Sequence, residues 1–160
     1  MTRLTERIET TLSIDDAFAY VADFANSSDW DPGTATSERL DAGPVGLGAR
    51  YRLGVRLRGR VAPMEYRITA FEVPRRVVLT GEGSGVASVD EIRFEATATG
   101  TRIDYMADIR LGGVLRLVQP FLGGSFAKIA RDAVGGMQQA LDALAAERDP
   151  AHTHAATSPR

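Results

Sequence analysis

Between Thr34 and Leu111 the chain reads as one strand after another, and the breaks are too short to carry a crossover. They are Asp41 to Gly48, Gly59-Arg60, Pro74, Gly81 to Gly85 and Thr99-Gly100. Parallel neighbours need a dozen or more connecting residues, so breaks this short dictate an antiparallel meander. Alternation then assigns the faces. Tyr51, Leu53, Val55 and Leu57 oppose Arg50, Arg52, Arg56 and Arg58; Met64, Tyr66 and Ile68 oppose Glu65, Arg67 and Thr69. Ile92 and Phe94 oppose Arg93 and Glu95, and Ile103, Tyr105, Ala107 and Ile109 oppose Arg102, Asp104, Asp108 and Arg110. One face of the sheet is therefore apolar and aromatic and must be covered.

After Gly112-Gly113 the apolar period becomes helical: Leu115, Val118, Leu122, Phe126, Ile129, Ala133, Met137, Ala140, Leu141 and Leu144 predict one long stripe, with Pro120 kinking the helix or marking the start of its straight portion. This helix is the one partner large enough to cover the sheet. Gly123-Gly124 and Gly135-Gly136 each cost a helix about 1 kcal/mol per glycine against alanine, so they need a compensating role, either close helix–sheet approach or room for a ligand. Ahead of the meander, Arg3 to Leu12 alternates as a further strand, with Leu4, Ile8 and Leu12 inward. Ser13-Ile14-Asp15-Asp16 then resembles a capping box opening a helix through Ala25. Asn26 to Gly33 is dense in turn residues and should form a short helical turn with Trp30 tucked inward. Residues 1–147 form the expected domain, and residues 148–160 lack apolar period and are expected to be a disordered tail.

The chain has no cysteine, and its two histidines, His152 and His154, lie in that tail. Disulfides, a thiolate nucleophile and cysteine-containing metal sites are thereby excluded, and a Ser-His-Asp triad or imidazole metal cage within the fold is disfavoured. No metal and no cofactor is expected. The formal charge of −2 makes no electrostatic case for nucleic acid or an anionic membrane surface. Charged residues stand where a signal peptide would be apolar, and Arg116 and Pro120 interrupt the longest apolar stretch, so a cytoplasmic protein without an integral membrane segment is expected.

A curved antiparallel sheet around a C-terminal helix, with two short helices after the first strand, is similar to the START-like (SRPBCC) helix-grip superfamily, polyketide cyclase/dehydrase branch. The residues carrying the resemblance are Ala17 to Phe24, Trp30-Asp31-Pro32-Gly33-Thr34, Gly46 to Tyr51, Ile92-Arg93-Phe94-Glu95 and Gly100-Thr101-Arg102, and it spans about Leu4 to Leu144. It implies an α+β fold of seven antiparallel strands and a hydrophobic cavity between sheet and long helix.

Function has to be argued from that cavity's lining. By strand phase and helical stripe the expected ligand-binding residues are Trp30, Tyr51, Leu53, Met64, Tyr66, Asp90, Ile92, Phe94, Tyr105, Phe126 and Met137. Trp30 is either a core anchor or part of the entrance. The phenols of Tyr51, Tyr66 and Tyr105 bond either to one another, backbone and water, or to a ligand. Asp90 shares phase with Ile92 and Phe94. If it turns inward, burial raises its pKa toward neutrality and makes it an acid–base candidate with Tyr66; at a rim or bulge it returns to solvent. Glu82 follows a strand, Val77 to Thr80, that is apolar in both phases, so its facing is open. Gly46-Leu47-Gly48 lacks the third glycine and following helix of a dinucleotide site, and Gly81 to Gly85 lacks the lysine of a phosphate loop.

The reading is a protein binding a small hydrophobic ligand, aromatic, polyketide-like or lipid-like. Two alternatives stand: a cyclase/dehydratase using pocket shape with Asp90 or Tyr66 for proton transfer, and a lipid or quinone carrier serving a membrane enzyme. Oligomeric state is not readable, and a homodimer is left open.

Overall fold

The computed structural model describes residues 1–149 apart from residue 58; Arg58 and the expected tail from residue 150, with both histidines, lie outside the described residues. Strand β1 (Thr2–Thr10) buries Ile8 and Thr10 and exposes Arg3, Arg7 and Glu9. Ser13 caps α1 (Ile14–Ala22): its hydroxyl accepts from the Asp16 amide at 3.2 Å, and Asp15 and Asp16 place negative charge at the positive end of the helix dipole. The helix stops at Ala22, short of the expected Ala25. Asp23 leaves helical geometry at φ −84°, ψ 97°, and its carboxylate accepts from the Ala25 amide at 3.1 Å. A 3₁₀ turn (Phe24–Asn26) and α2 (Ser27–Trp30) follow, burying Phe24 and Trp30.

The remaining strands are β2 (Thr34–Arg39), β3 (Arg50–Leu57), β4 (Arg60–Glu72), β5 (Arg76–Gly83), β6 (Val86–Thr97) and β7 (Gly100–Leu111). Their order is β1-β7-β6-β5-β4-β3-β2, every pair antiparallel. This is the expected seven-stranded meander. Gly81, Glu82 and Gly83 belong to β5 and not to a turn. Gly83 pairs with Val86 around Ser84 and Gly85, at φ 53° and 77°, the left-handed pair that a two-residue hairpin demands. Register settles the facing of β5: Gly81 and Leu79 oppose Tyr66 and Ile68 on the concave face, and Glu82 points outward and exposed, which removes it as a candidate. The outer face is ion-paired, for example Arg52 with Glu65 at 3.3 Å and Arg76 with Glu91 at 2.7 Å. Each such partly exposed pair contributes about 0–1 kcal/mol, and the described arginines of the stripe, Arg50, Arg52 and Arg56, lie on a solvated surface.

The expected long stripe holds only in its second half. Gly113–Leu117 and Gln119–Phe121 form 3₁₀ turns, and the straight helix α3 spans Gly123–Arg148, so Pro120 precedes it and does not kink it. Met137 and Leu141 are buried, whereas Val118 and Ile129 are exposed. The cause is an anchor upstream: the Gln119 side chain accepts from the Leu111 amide (3.2 Å) and donates to the Ile109 carbonyl (3.0 Å) and Thr2 hydroxyl (3.2 Å), pinning the segment to the end of β7 and β1. Nor does α3 cover the sheet alone. Phe18, Val21, Phe24 and Trp30 fill much of the concave face, and α3 lies chiefly along β1 and α2. Gly136 permits this: a Cβ there would stand 1.9 Å from the Trp30 carbonyl oxygen. That close approach is to α2 and not to the sheet, while Gly123, Gly124 and Gly135 face open space. Arg148, where the tail was expected to begin, is helical and pairs with Asp16.

Candidate functional site

The meander's register gathers the polar residues of the concave face. Asp90 lies in the unbroken stretch of β6 paired with β7, opposite Ala107, so no bulge returns it to solvent; it is 5% exposed. Ser88, two residues earlier and on the same face, donates to its Oδ2 at 2.9 Å. Tyr105, diagonal across the β6–β7 ladder, donates its phenolic proton to Oδ1 at 3.0 Å. Burial raises the Asp90 pKa to about 6, the Ser88 and Tyr105 hydrogen bonds resist that rise, and the charges of Asp31 and Asp108 add to it.

Tyr66 joins from the other side. It opposes Gly81, whose absent side chain makes room for the ring: a Cβ there would lie 2.4 Å from a Tyr66 ring carbon. Burial first, then the Asp90 charge, drives the Tyr66 phenol upward, with Ser88 pulling the other way. Tyr105 is raised for the same two leading reasons. Both phenols are therefore neutral donors near neutrality. Asp31 approaches from the loop after α2, its carboxylate accepting from the Gly33 amide and the Thr34 hydroxyl, each at 2.8 Å, with burial pushing its pKa up.

The other expected lining residues divide. Leu53 and Met64, cross-strand partners, are packed core, as are Ile92 and Met137. Phe94 meets Phe18 of α1 edge-on at 5.1 Å and is likewise core. Trp30 is an anchor, its ring 6.3 Å from those of both Phe24 and Tyr105. Its Nε1 and the Tyr51 hydroxyl are buried without a hydrogen-bond partner among the described residues. Phe126 is half-buried on the first turn of α3 and stands outside the packed core. Ser88 and Asp31 were missed by sequence reasoning. Ser88 was legible as Asp90's neighbour two positions back in the same phase; nothing in the loop sequence aimed Asp31 inward.

Burial is graded along the concave face. At the α1 end, Ile8, Thr10, Thr101 and Ile103 are buried. Toward the other end Thr2, Leu4 and Glu6 of β1, Tyr105, Ile109 and Leu111 of β7, and Val86 of β6 are only half-buried although they share the inward phase. The grip is thus tightly packed at one end and accessible at the other, and the Asp90 hydrogen-bond network sits where packing gives way to access. Chemically it offers one carboxyl group titrating near pH 6, two neutral phenols and an apolar wall.

The family profile described as polyketide cyclase/dehydrase and lipid transport matches residues 1–148. Comparison with curated proteins found no match. Among solved structures, Zhui aromatase/cyclase from Streptomyces sp. R1128 superposes with a TM-score of 0.71 at 14% identity, covering 88% of this chain and 93% of that one. A START superfamily protein from Mycobacterium smegmatis gives 0.66 at 14% identity, over 86% and 97%. Major latex-like protein 151 from Panax ginseng gives 0.65 at 9% identity, over 88% and 97%. At such identities the likeness shows the fold.

Proposed function

The chain belongs to the polyketide cyclase/dehydrase and lipid transport family, and on that premise we propose that it binds a small, largely apolar, aromatic or polyketide-like molecule carrying at least one oxygen. Members of the family take small hydrophobic ligands. The observation that carries the finer reading is the Tyr105–Asp90 hydrogen bond, set on the inward face where the packed core ends. A purely structural core would bury apolar groups there, since a buried carboxylate costs stability unless something uses it. Apolar ligand surface gains about 25 cal/mol per Å² buried, and the carboxyl and phenols fix orientation.

Native mass spectrometry of gently purified protein tests this, with Trp30, the chain's single tryptophan and 6.3 Å from Tyr105, reporting titrations by fluorescence. A co-purified hydrophobic compound that quenches Trp30, with weaker binding to Tyr105→Phe, is expected. Protein that carries no ligand and leaves Trp30 unmoved by a panel of aromatic and polyketide-like compounds would refute it.

The Asp90 pKa of about 6 favours a second reading, a cyclase/dehydratase. Near pH 7 the ionised Asp90 would take a proton from a carbon between two carbonyls, and the resulting enolate would attack a second carbonyl carbon to close a ring. Tyr66, held neutral, would donate a hydrogen bond to the oxygen on which charge develops. Asp90 would return its proton to the alkoxide so formed, giving an alcohol; taking the second proton from the same carbon and passing it to that hydroxyl would then expel water and form the carbon–carbon double bond. Asp90→Asn and Tyr66→Phe should change the products while binding survives; unchanged products from both variants would eliminate this reading.

A further inference from the structure

Beside the accessible end of the grip runs a segment whose apolar side chains are left uncovered by the other described residues. Val114, Leu117 and Phe121 are 80%, 76% and 86% exposed, on the two 3₁₀ turns between β7 and α3. Their exposure is imposed, because the buried Gln119 amide between them holds the segment to Thr2, Ile109 and Leu111. From residue 109 to residue 131 the sequence contains no aspartate or glutamate and carries Arg110, Arg116, Lys128 and Arg131. A recess of about 580 Å³ opens between Arg110 and Arg116, with Met1 and Gln119 in its walls. The flanking acids are engaged: Asp108 binds Arg3, and Asp132 binds Lys128. A chain of net charge −2 therefore concentrates cations, and apolar side chains that no other described residue covers, on one short segment.

We propose that this segment docks the protein on an anionic lipid bilayer, with Leu117, Phe121 and Val114 entering the interface and Arg110 and Arg116 taking lipid phosphates at the recess. Apolar side chains flanked by Arg110 and Arg116 match an interface that is negatively charged above and hydrocarbon below. A second copy of the chain fits worse, since a two-fold contact through this face sets Arg116 near its own equivalent. The segment lies beside the half-buried end of the concave face, where Gln119 ties it to Thr2, Ile109 and Leu111, so a bound bilayer would place hydrocarbon next to that end. The docking does not depend on the identity of any ligand bound to the concave face.

Co-sedimentation of the full chain with phosphatidylcholine vesicles, with and without 30% phosphatidylglycerol, decides the matter. Binding to the anionic vesicles, weakening with salt, is expected. Arg110→Gln with Arg116→Gln should lower partition roughly 25-fold, at about fivefold per cation near the surface. Leu117→Gln with Phe121→Gln should abolish pelleting. Unchanged circular dichroism and Trp30 emission would show both double variants folded. No preference for anionic vesicles, or double variants that pellet like the parent, would overturn the proposal. So would a dimer in sedimentation velocity that Leu117→Gln/Phe121→Gln dissolves, because the face would then be a self-association surface.

Discussion

Replacing Asp90 by asparagine should stabilise the protein near neutral pH and leave it unchanged in acid. An isosteric amide keeps an oxygen to accept from Tyr105, and the Ser88 hydroxyl can rotate to accept from the new amide nitrogen. What disappears is a titration. Asp90 ionises at about 6 in the folded chain against an ordinary 3.8, and that gap at about 1.36 kcal/mol per pKa unit amounts to about 3 kcal/mol. Because the folded pKa is raised, the folded state holds the proton more tightly between pH 4 and 6. Wild-type stability is thus fully present below pH 3.8 and falls as pH rises through about 6. Urea unfolding of both proteins from pH 4 to pH 8 measures this. The variant's advantage should be near zero at pH 4 and grow to about 3 kcal/mol by pH 7.5, corresponding to roughly 6–12 °C in Tm for a domain of this size. An advantage independent of pH, or an asparagine variant less stable than the parent at pH 7.5, would refute the placement of an ionisable, buried Asp90.

Tyr105→Phe removes the Oδ1 donor that favours ionised Asp90, so its pKa should rise above about 6; carboxyl NMR titration checks this, and an unmoved midpoint would contradict the hydrogen bond. Gly136→Ala meets the Trp30 carbonyl and should lose about 1–3 kcal/mol, while Gly135→Ala, facing open space, should gain up to about 1 kcal/mol. Thermal unfolding of the pair discriminates, and equal effects would refute the contact. Gly81→Ala should lift the Tyr66 ring from its bed and weaken ligand binding measured by Trp30 quenching; unaltered affinity would take Tyr66 out of the site.

Much of this molecule is written in local pattern. Short breaks after alternating strands allowed only an antiparallel meander, and the alternation set Tyr51, Tyr66 and Tyr105 on the inner face because side-chain direction in a strand repeats every two residues; for Asp90 it left a rim or bulge open, and the unbroken β6–β7 register closed that alternative. Where both phases are apolar, as at Val77 to Thr80, that signal vanishes, and only the pairing of Gly81 with Tyr66 turned Glu82 outward. The helical stripe misled for a related reason. Period specifies which residues could share a face, but the Gln119 anchor and the bulk of Phe24 and Trp30 determined how much of that face reached the core.

The sequence by itself determined the antiparallel meander from Thr34 to Leu111, the inward phase of the phenols, and the lack of any thiol in the chain or imidazole before residue 152. Tertiary structure alone decided that Ser88 and Tyr105 both bond Asp90, that the Asp31 charge acts on it, and that Phe94 and Met137 are buried within the core cluster. It also decided which end of the grip stays accessible. Distances between strands and the filling of a concave face depend on every element at once, and no window of neighbouring residues contains them.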